Sequence, residues 1–194
     1  MAWHRLLHTC CVVVASAVAA SDLRAQAVRQ AGSPQSALLY QDSTSFWVDP
    51  PRGWVIDASE LARAQGPLAL FYRKGESWRS GKAVMYANLI TLLDSGPNAL
   101  ATTIREEVAR WSTAAGDAVV TRLPDIRTKT GDIASIRKFV SPSRRAHEAV
   151  AYIRHGSAVP LLVLTARSEA AFAAAYPDFE RLVKSYGPGP AVVQ

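Results

Sequence analysis

Cysteine is nearly absent from this chain, because Cys10 and Cys11 are the only two among its 194 residues. Both fall in an apolar stretch near the start that the sequence predicts to be part of a leader removed on export. The remaining chain would then have no thiol, which excludes disulfides, thiolate metal ligands and cysteine nucleophiles together. Without disulfide bonds, an exported domain must depend on a full hydrophobic core.

Histidine is also scarce, and only His147 and His155 follow the predicted leader. They bracket a predicted strand, whose rise of about 3.3 Å per residue would separate their backbones by roughly 26 Å. A single ion cannot be bound by both side chains at that separation. The sequence therefore predicts no metal site, and it predicts no cofactor.

The motif of a serine hydrolase is incomplete. The nearest match to Gly-x-Ser-x-Gly lies at residues 75–79, where Arg79 replaces the second glycine and a predicted strand follows in place of a helix. The sequence therefore predicts no catalytic residue. It leaves open a hydrolase that uses Ser77 or another serine together with His147 or His155.

The first 27 residues have the pattern of a secretory signal peptide. Arg5 precedes twelve mostly apolar residues, 9–20, and Ala-Gln-Ala at 25–27 matches a small-x-small cleavage site. A second cut, after Ala20, fits the same pattern. Since a membrane-spanning helix needs roughly 20 apolar residues, we expect an exported product, periplasmic or extracellular, with no transmembrane segment in the mature chain.

Removal of residues 1–27 leaves 167 residues, which is the length of one domain. Residues 28–36 are polar and contain Gly-Ser-Pro, so we predict a flexible lead-in there. We predict one folded domain over residues 37–187 and a disordered tail over residues 188–194.

The chain is mildly basic. Its formal net charge of +6 becomes +5 when the leader takes away Arg5, Asp22 and Arg24. An exported basic protein meets acidic proteins, anionic lipid headgroups and acidic glycans. Export also separates it from nucleic acid, so we do not expect nucleic acid as a partner.

Apolar runs and turn residues predict eight strands. The predicted strands are two within 46–57 joined at the turn 50–53, then 68–73, 83–93, 118–127, 133–140, 148–154 and 159–166. Gly131 and Gly156 suit the turns of two hairpins. Successive short turns predict that this part of the sheet is antiparallel.

Both faces of the predicted sheet need a cover. In residues 84–93 and 159–166, both alternating sets of side chains are largely apolar, which is typical of strands buried on two sides. We therefore predict an α+β fold, a largely antiparallel sheet covered by helices on both faces, which is an α/β/α sandwich.

Two helices are predicted in the positions that such a fold requires. The first covers residues 98–115, with Asn98 as its N-cap and a stop at Gly116. The second begins after Ser168, is interrupted and resumes at Pro177, and ends at Gly187.

The element order of four strands, a helix, four strands and a helix resembles the PsbP-like superfamily over residues 38–186. The matching motifs are Pro-Arg-Gly-Trp at 51–54, Phe-Tyr-Arg-Lys-Gly at 71–75, Val-Met-Tyr-Ala at 84–87 and the closing helix at 179–186. The resemblance implies an α/β/α sandwich that usually acts by binding a partner. It implies no shared catalytic residues, and it transfers no functional residue to this chain.

Aromatic and basic residues concentrate between positions 46 and 86, and such groups together bind sugars, anionic ligands or a protein partner. Trp78 lies in a polar loop, where a large apolar side chain is unusual. Asn88 is a polar residue within an apolar strand. Arg144 and Arg145 would add an anionic contact. The candidate binding residues are Arg52, Trp54, Lys74, Trp78, Arg79, Lys82 and Asn88.

These observations favour an exported, non-catalytic binding or accessory domain whose partner is an envelope protein or an anionic ligand. Its expected contact surface is the loop 74–82 with Arg52 and Trp54. The alternatives are the serine and histidine hydrolase described above and a basic envelope protein that contacts anionic lipid or glycan.

Overall fold

The computed structural model describes residues 28–29, 36–41, 43–59, 64, 66–92 and 96–190. The predicted signal peptide lies outside the described residues, so the leader stays a prediction. In the described part of the chain, no helix is both long and apolar enough to cross a membrane.

Eleven strands and two helices are formed by the described residues. The strands are β1 (Val28–Arg29), β2 (Ala37–Gln41), β3 (Thr44–Val48), β4 (Trp54–Asp57), β5 (Ala69–Arg73), β6 (Ala83–Thr91), β7 (Val119–Arg127), β8 (Ile133–Ser141), β9 (Ala146–Ile153), β10 (Ala158–Ala166) and β11 (Gly187–Pro188). The helices are α1 (Ala99–Ala115) and α2 (Glu169–Lys184).

Seven strands form the main sheet, in the order β4-β5-β6-β10-β9-β8-β7. Every neighbouring pair in this sheet is antiparallel, as predicted for its second half. Gly131 and Gly156 have positive φ values of 92° and 58° at the two predicted hairpin turns, where residues with a side chain are disfavoured.

The main sheet has two buried faces because its central strands are apolar on both sides. One face packs with α2, and its cluster includes Met85, Leu162 and Phe179. The other face packs with α1, and its cluster includes Tyr86, Val163 and Ile104. The predicted α+β fold with a helix on each face is confirmed.

A second, smaller sheet has the order β1-β2-β3-β11 and was not expected from the sequence. Strand β3 belongs to this smaller sheet, whereas β4 belongs to the main sheet. The two strands that the sequence predicted to be joined at the turn 50–53 therefore lie in different sheets. Val28 and Arg29, within the predicted lead-in, pair with Leu38 and Ala37 of β2.

Residues 188–190 are ordered by pairing, so the prediction of a disordered tail is wrong for them. Pro188 pairs with Phe46 of β3, and the Gly189 amide donates to the carbonyl of Ser45 over 2.9 Å. The Ser45 hydroxyl donates to the Pro190 carbonyl over 2.6 Å. Proline and glycine are poor strand formers, which is why the sequence alone pointed to a tail.

Helix α2 is continuous through Pro177, which corrects the predicted interruption. Proline removes one helical hydrogen bond and costs about 3 kcal/mol in a helix interior. Phe172 before the proline and Phe179 and Leu182 after it are buried against the same face, and their burial outweighs that cost. The Ser168 hydroxyl caps α2 by accepting from the Ala171 amide, as predicted.

Helix α1 begins after Asn98 and ends at Gly116, as predicted. The Asn98 side chain makes no capping hydrogen bond, so only its position agrees with the predicted N-cap.

A substitution at Gly189 tests how much the pairing of β11 with β3 contributes to stability. A Cβ atom at Gly189 would overlap the Ser45 hydroxyl and lie 2.8 Å from the Ser45 backbone carbon, so a side chain cannot fit without moving β11 from β3. We expect Gly189→Ala to lower the free energy of unfolding by about 1–3 kcal/mol in urea denaturation. Gly187→Ala is the matched control, because its Cβ would meet first the movable end of the Lys129 side chain at 3.3 Å. Equal stability of the two variants would contradict this role of β11.

Candidate functional site

Several loops meet along one end of the main sheet. Ala83 at the start of β6 pairs with Ala166 at the end of β10, and Ala166 pairs with His147 near the start of β9. Since His147 also pairs with Val140 near the end of β8, the loops 74–82 and 141–145 lie along the same end as Arg167.

The turn before β4 joins this end through the backbone. Trp54 pairs with Arg73, and the Lys74 amide donates to the Gly53 carbonyl over 2.8 Å. The turn itself is closed by the Trp54 amide, which donates to the Pro51 carbonyl over 2.9 Å. We call residues 51–53, 74–82, 141–145 and Arg167 the basic end.

Cations outnumber acids at the basic end. All of its cationic side chains are exposed except that of Arg144, which is half-exposed. The only carboxylate within these ranges is Glu76. The cationic residues are Arg52, Lys74, Arg79, Lys82, Arg144, Arg145 and Arg167.

The loop 74–82 is held by its own hydrogen bonds and by Arg167. The Gly81 amide donates to the Ser77 carbonyl over 2.9 Å, and the Ser77 and Ser80 hydroxyls lie 3.0 Å apart. The Arg167 guanidinium donates to the Arg79 carbonyl over 2.7 Å. The cations of this loop therefore project from a fixed backbone, which lowers the entropy cost of binding an anionic partner.

The loop 141–145 is tied to the C-terminal end of α1. The Asp117 carboxylate accepts from the Ser141 hydroxyl over 2.6 Å and from the Ser143 amide over 2.7 Å, and these bonds lower the Asp117 pKa. The Arg144 guanidinium donates to the Ala114 carbonyl. Arg145 is exposed and has a positive φ of 50°.

Trp54 and Trp78 belong to the hydrophobic core, which corrects their place in the predicted contact surface. Trp54 is 3% exposed and packs on the α2 side, whereas Trp78 is 7% exposed and packs on the α1 side. The Arg79 guanidinium lies 4.9 Å from the centre of the Trp78 ring. A polar loop sequence could not show that its tryptophan turns inward.

Arg73 is committed to the fold. Its guanidinium lies 5.1 Å from the centre of the Trp54 ring and forms an ion pair of 3.0 Å with Asp178 of α2. We therefore leave Arg73 out of the basic end, although it neighbours Lys74 in the sequence.

Asn88 does not lie at the basic end. It is half-exposed in β6, where it pairs with Leu161 of β10. Its side-chain oxygen accepts from the Leu89 amide over 2.9 Å, so it satisfies a backbone group.

Arg167 belongs to the basic end but was not among the candidate residues predicted from the sequence. It lies there because the end of β10 pairs with the start of β6, and only strand pairing could have shown this.

The alternative hydrolase is not supported by the positions of its residues. The His147 ring lies 2.9 Å from the Glu169 carboxylate, and the His155 ring lies 2.7 Å from the Tyr186 hydroxyl. In the described ranges, the Ser77 hydroxyl bonds with Ser80 and with neither histidine. Across those ranges, no group of three or more histidine, cysteine, aspartate or glutamate side chains could hold a metal ion.

Trp78 is expected to act on stability. Trp78→Ala would remove a buried indole from the core and lower the free energy of unfolding by about 3–5 kcal/mol. Arg79→Ala, which removes an exposed neighbour, should change it by less than about 0.5 kcal/mol. Urea denaturation of both variants measures the difference, and a Trp78→Ala protein as stable as the parent would show that this indole is not a core residue.

No family model matches the sequence, and no curated protein matches it. The solution structure of cyanobacterial PsbP (CyanoP) from Synechocystis sp. PCC 6803 is similar with a TM-score of 0.50 and 13% identity, covering 84% of this chain and 97% of that chain. The Saccharomyces cerevisiae Ran-binding protein Mog1p has a TM-score of 0.48 and 14% identity, covering 86% of this chain and 96% of that chain. At such identities the likeness to CyanoP concerns the fold, and the resemblance predicted from the sequence is confirmed at that level: this chain has the PsbP-like fold.

Proposed function

We propose that this protein is an exported, non-catalytic binding domain whose basic end docks on an acidic protein of the cell envelope. The observation that carries this proposal is the placement of Arg52, Lys74, Arg79 and Lys82 on the same end of the sheet as Arg145. Clustered charges of one sign raise the local concentration of an oppositely charged partner and steer its approach.

Arginine is the commonest cation of the basic end, which favours a partner that presents carboxylate groups. A guanidinium presents several donors in a rigid plane, so it can bind a carboxylate through two parallel hydrogen bonds. Arg79 rests on the Trp78 ring, and Arg167 is attached to the backbone of the neighbouring loop. Both side chains are therefore partly oriented before a partner arrives.

A protein partner is favoured over a membrane surface by the burial of the tryptophans. Proteins that lie on a bilayer commonly insert apolar or aromatic side chains beside their cations. Trp78 of the basic end and Trp54 beside it are both buried and provide no such anchor. Charge alone would remain for a lipid surface, whereas an acidic protein can match the positions of the arginines individually.

Export is the part of the proposal that depends on the sequence of the leader. Sequencing the N-terminus of the protein recovered from an envelope fraction tests it. A mature N-terminus at Val28 or Ser21 supports export, and an intact Met1 in a cytoplasmic fraction rejects it.

Charge reversal at the basic end should weaken binding. We expect Arg79→Glu/Lys82→Glu to weaken capture of the acidic envelope partner at least about tenfold, because two attractions become repulsions, each worth up to about 1 kcal/mol. Capture from envelope extract, with immobilised poly-L-glutamate as a defined acidic probe, measures the loss. Binding to either should also weaken as salt rises above about 0.15 M.

The matched control is Arg105→Glu/Lys184→Glu, which makes the same change in net charge at exposed positions of α1 and α2. It should bind like the parent. Equal loss in both double variants would show that only net charge matters and would reject a defined surface. Retention on vesicles containing anionic phosphatidylglycerol, but not on the acidic protein probe, would favour the lipid alternative instead.

A further inference from the structure

Glu148 is a carboxyl group buried between α1 and the main sheet. It lies on β9, directly opposite Phe139 of β8 and Thr165 of β10. Its side chain shares the face of Val150 and Tyr152, which pack in the α1 cluster. Only 5% of the residue is exposed, so a charge at this position would be removed from water.

Trp111 of α1 covers this carboxyl group. Its ring packs on Phe139 with a centroid distance of 5.0 Å, and Phe139 is the residue opposite Glu148. Hydrogen bonds from Thr165 and Trp111 reach the carboxyl group. In the part of the chain that the structure describes, the Oε2 atom of Glu148 has no hydrogen-bond partner.

The cations near Glu148 are directed elsewhere. Within the described ranges no ion pair to Glu148 is formed, and Arg144 contributes only a longer-range attraction. The charged groups around it and their partners are Arg137 of β8 with the Ile136 carbonyl, Arg144 with the Ala114 carbonyl, Arg167 beyond β10 with the Arg79 carbonyl, and Glu107 of α1 with Arg110.

Helix α1 is packed less deeply than α2. Ala99 and Ile104 are its buried residues, while Val108 and Trp111 are half-buried. By contrast, α2 buries six residues, Phe172 and Phe179 among them. The C-terminal half of α1 therefore has little apolar burial to offset the cost of a charge beneath Trp111.

We propose that Glu148 is a proton-dependent latch for α1. When the carboxyl group is protonated, α1 lies closed on the sheet with Trp111 over Phe139. When it is ionised, the buried charge favours a state in which the C-terminal half of α1 lifts and water reaches the carboxylate. This regulatory role does not depend on the proposed partner. Lifting the C-terminal half of α1 would also break the hydrogen bond from Arg144, in the loop 141–145, to the Ala114 carbonyl.

The direction of the pH effect follows from burial. Burial raises the pKa of Glu148 from its ordinary 4.5 to about 7. Between these values the closed state keeps the proton that the open, hydrated carboxyl group has already lost. The closed state therefore loses stability as pH rises through this window, and it loses no more above the window, where the carboxyl group is ionised in both states.

Amide hydrogen exchange of the full chain tests the latch. Protection of α1 is compared with that of α2 in the same sample, so that the intrinsic pH dependence of exchange cancels. We expect the ratio to fall at least about tenfold between pH 5 and pH 8 in the parent protein, and to stay constant in Glu148→Gln, which cannot ionise.

The control is Glu106→Gln, an exposed carboxyl group on the same helix, which should behave like the parent. A carbon-13 NMR titration of the Glu148 carboxyl in the unmodified protein gives an independent reading if Glu148→Gln folds poorly. A midpoint near the ordinary glutamate value, a pH-independent α1 in the parent, or an unchanged pH response in Glu148→Gln would each overturn the latch.

Discussion

The architecture depends on a sheet that is apolar on both faces. Such a sheet must be covered on each side, since exposed strands of this composition would leave two large apolar surfaces in water. The two helices meet this requirement unequally. Six buried residues hold α2, whereas α1 has two and adds half-buried side chains such as Trp111. The deep packing of α2 also explains why Pro177 does not interrupt it.

The proposed binding surface follows from antiparallel pairing. When neighbouring strands run in opposite directions, the loop that leaves one strand lies beside the loop that enters the next. The loops 74–82 and 141–145 are brought together in this way, although they are about 60 residues apart in the chain. The cations remain outside while Trp54 and Trp78 turn inward, so the surface is electrostatic in character.

Two buried carboxyl groups show contrasting environments. Asp178 pairs with Arg73 at 3.0 Å and with Arg181 at 2.5 Å, so its charge is compensated. Glu148 is buried to a similar degree, yet its neighbours are an indole, a hydroxyl and a phenyl ring. A buried charge without a close counter-ion is costly, which makes the protonation of Glu148 the more consequential of the two.

Local pattern determined much of this fold: the apolar strands, the hairpin glycines, the ends of α1 and the cap at Ser168 all follow from side-chain alternation and turn chemistry. It could not determine β11, because a strand of glycine and proline has weak propensity and gains its order from β3, which is distant in the sequence. The same reason applies to the site. Charges and aromatics were visible in the sequence, but only strand pairing decided that Arg167 joins Arg79, that Trp78 is buried, and that Glu148 lies beneath α1.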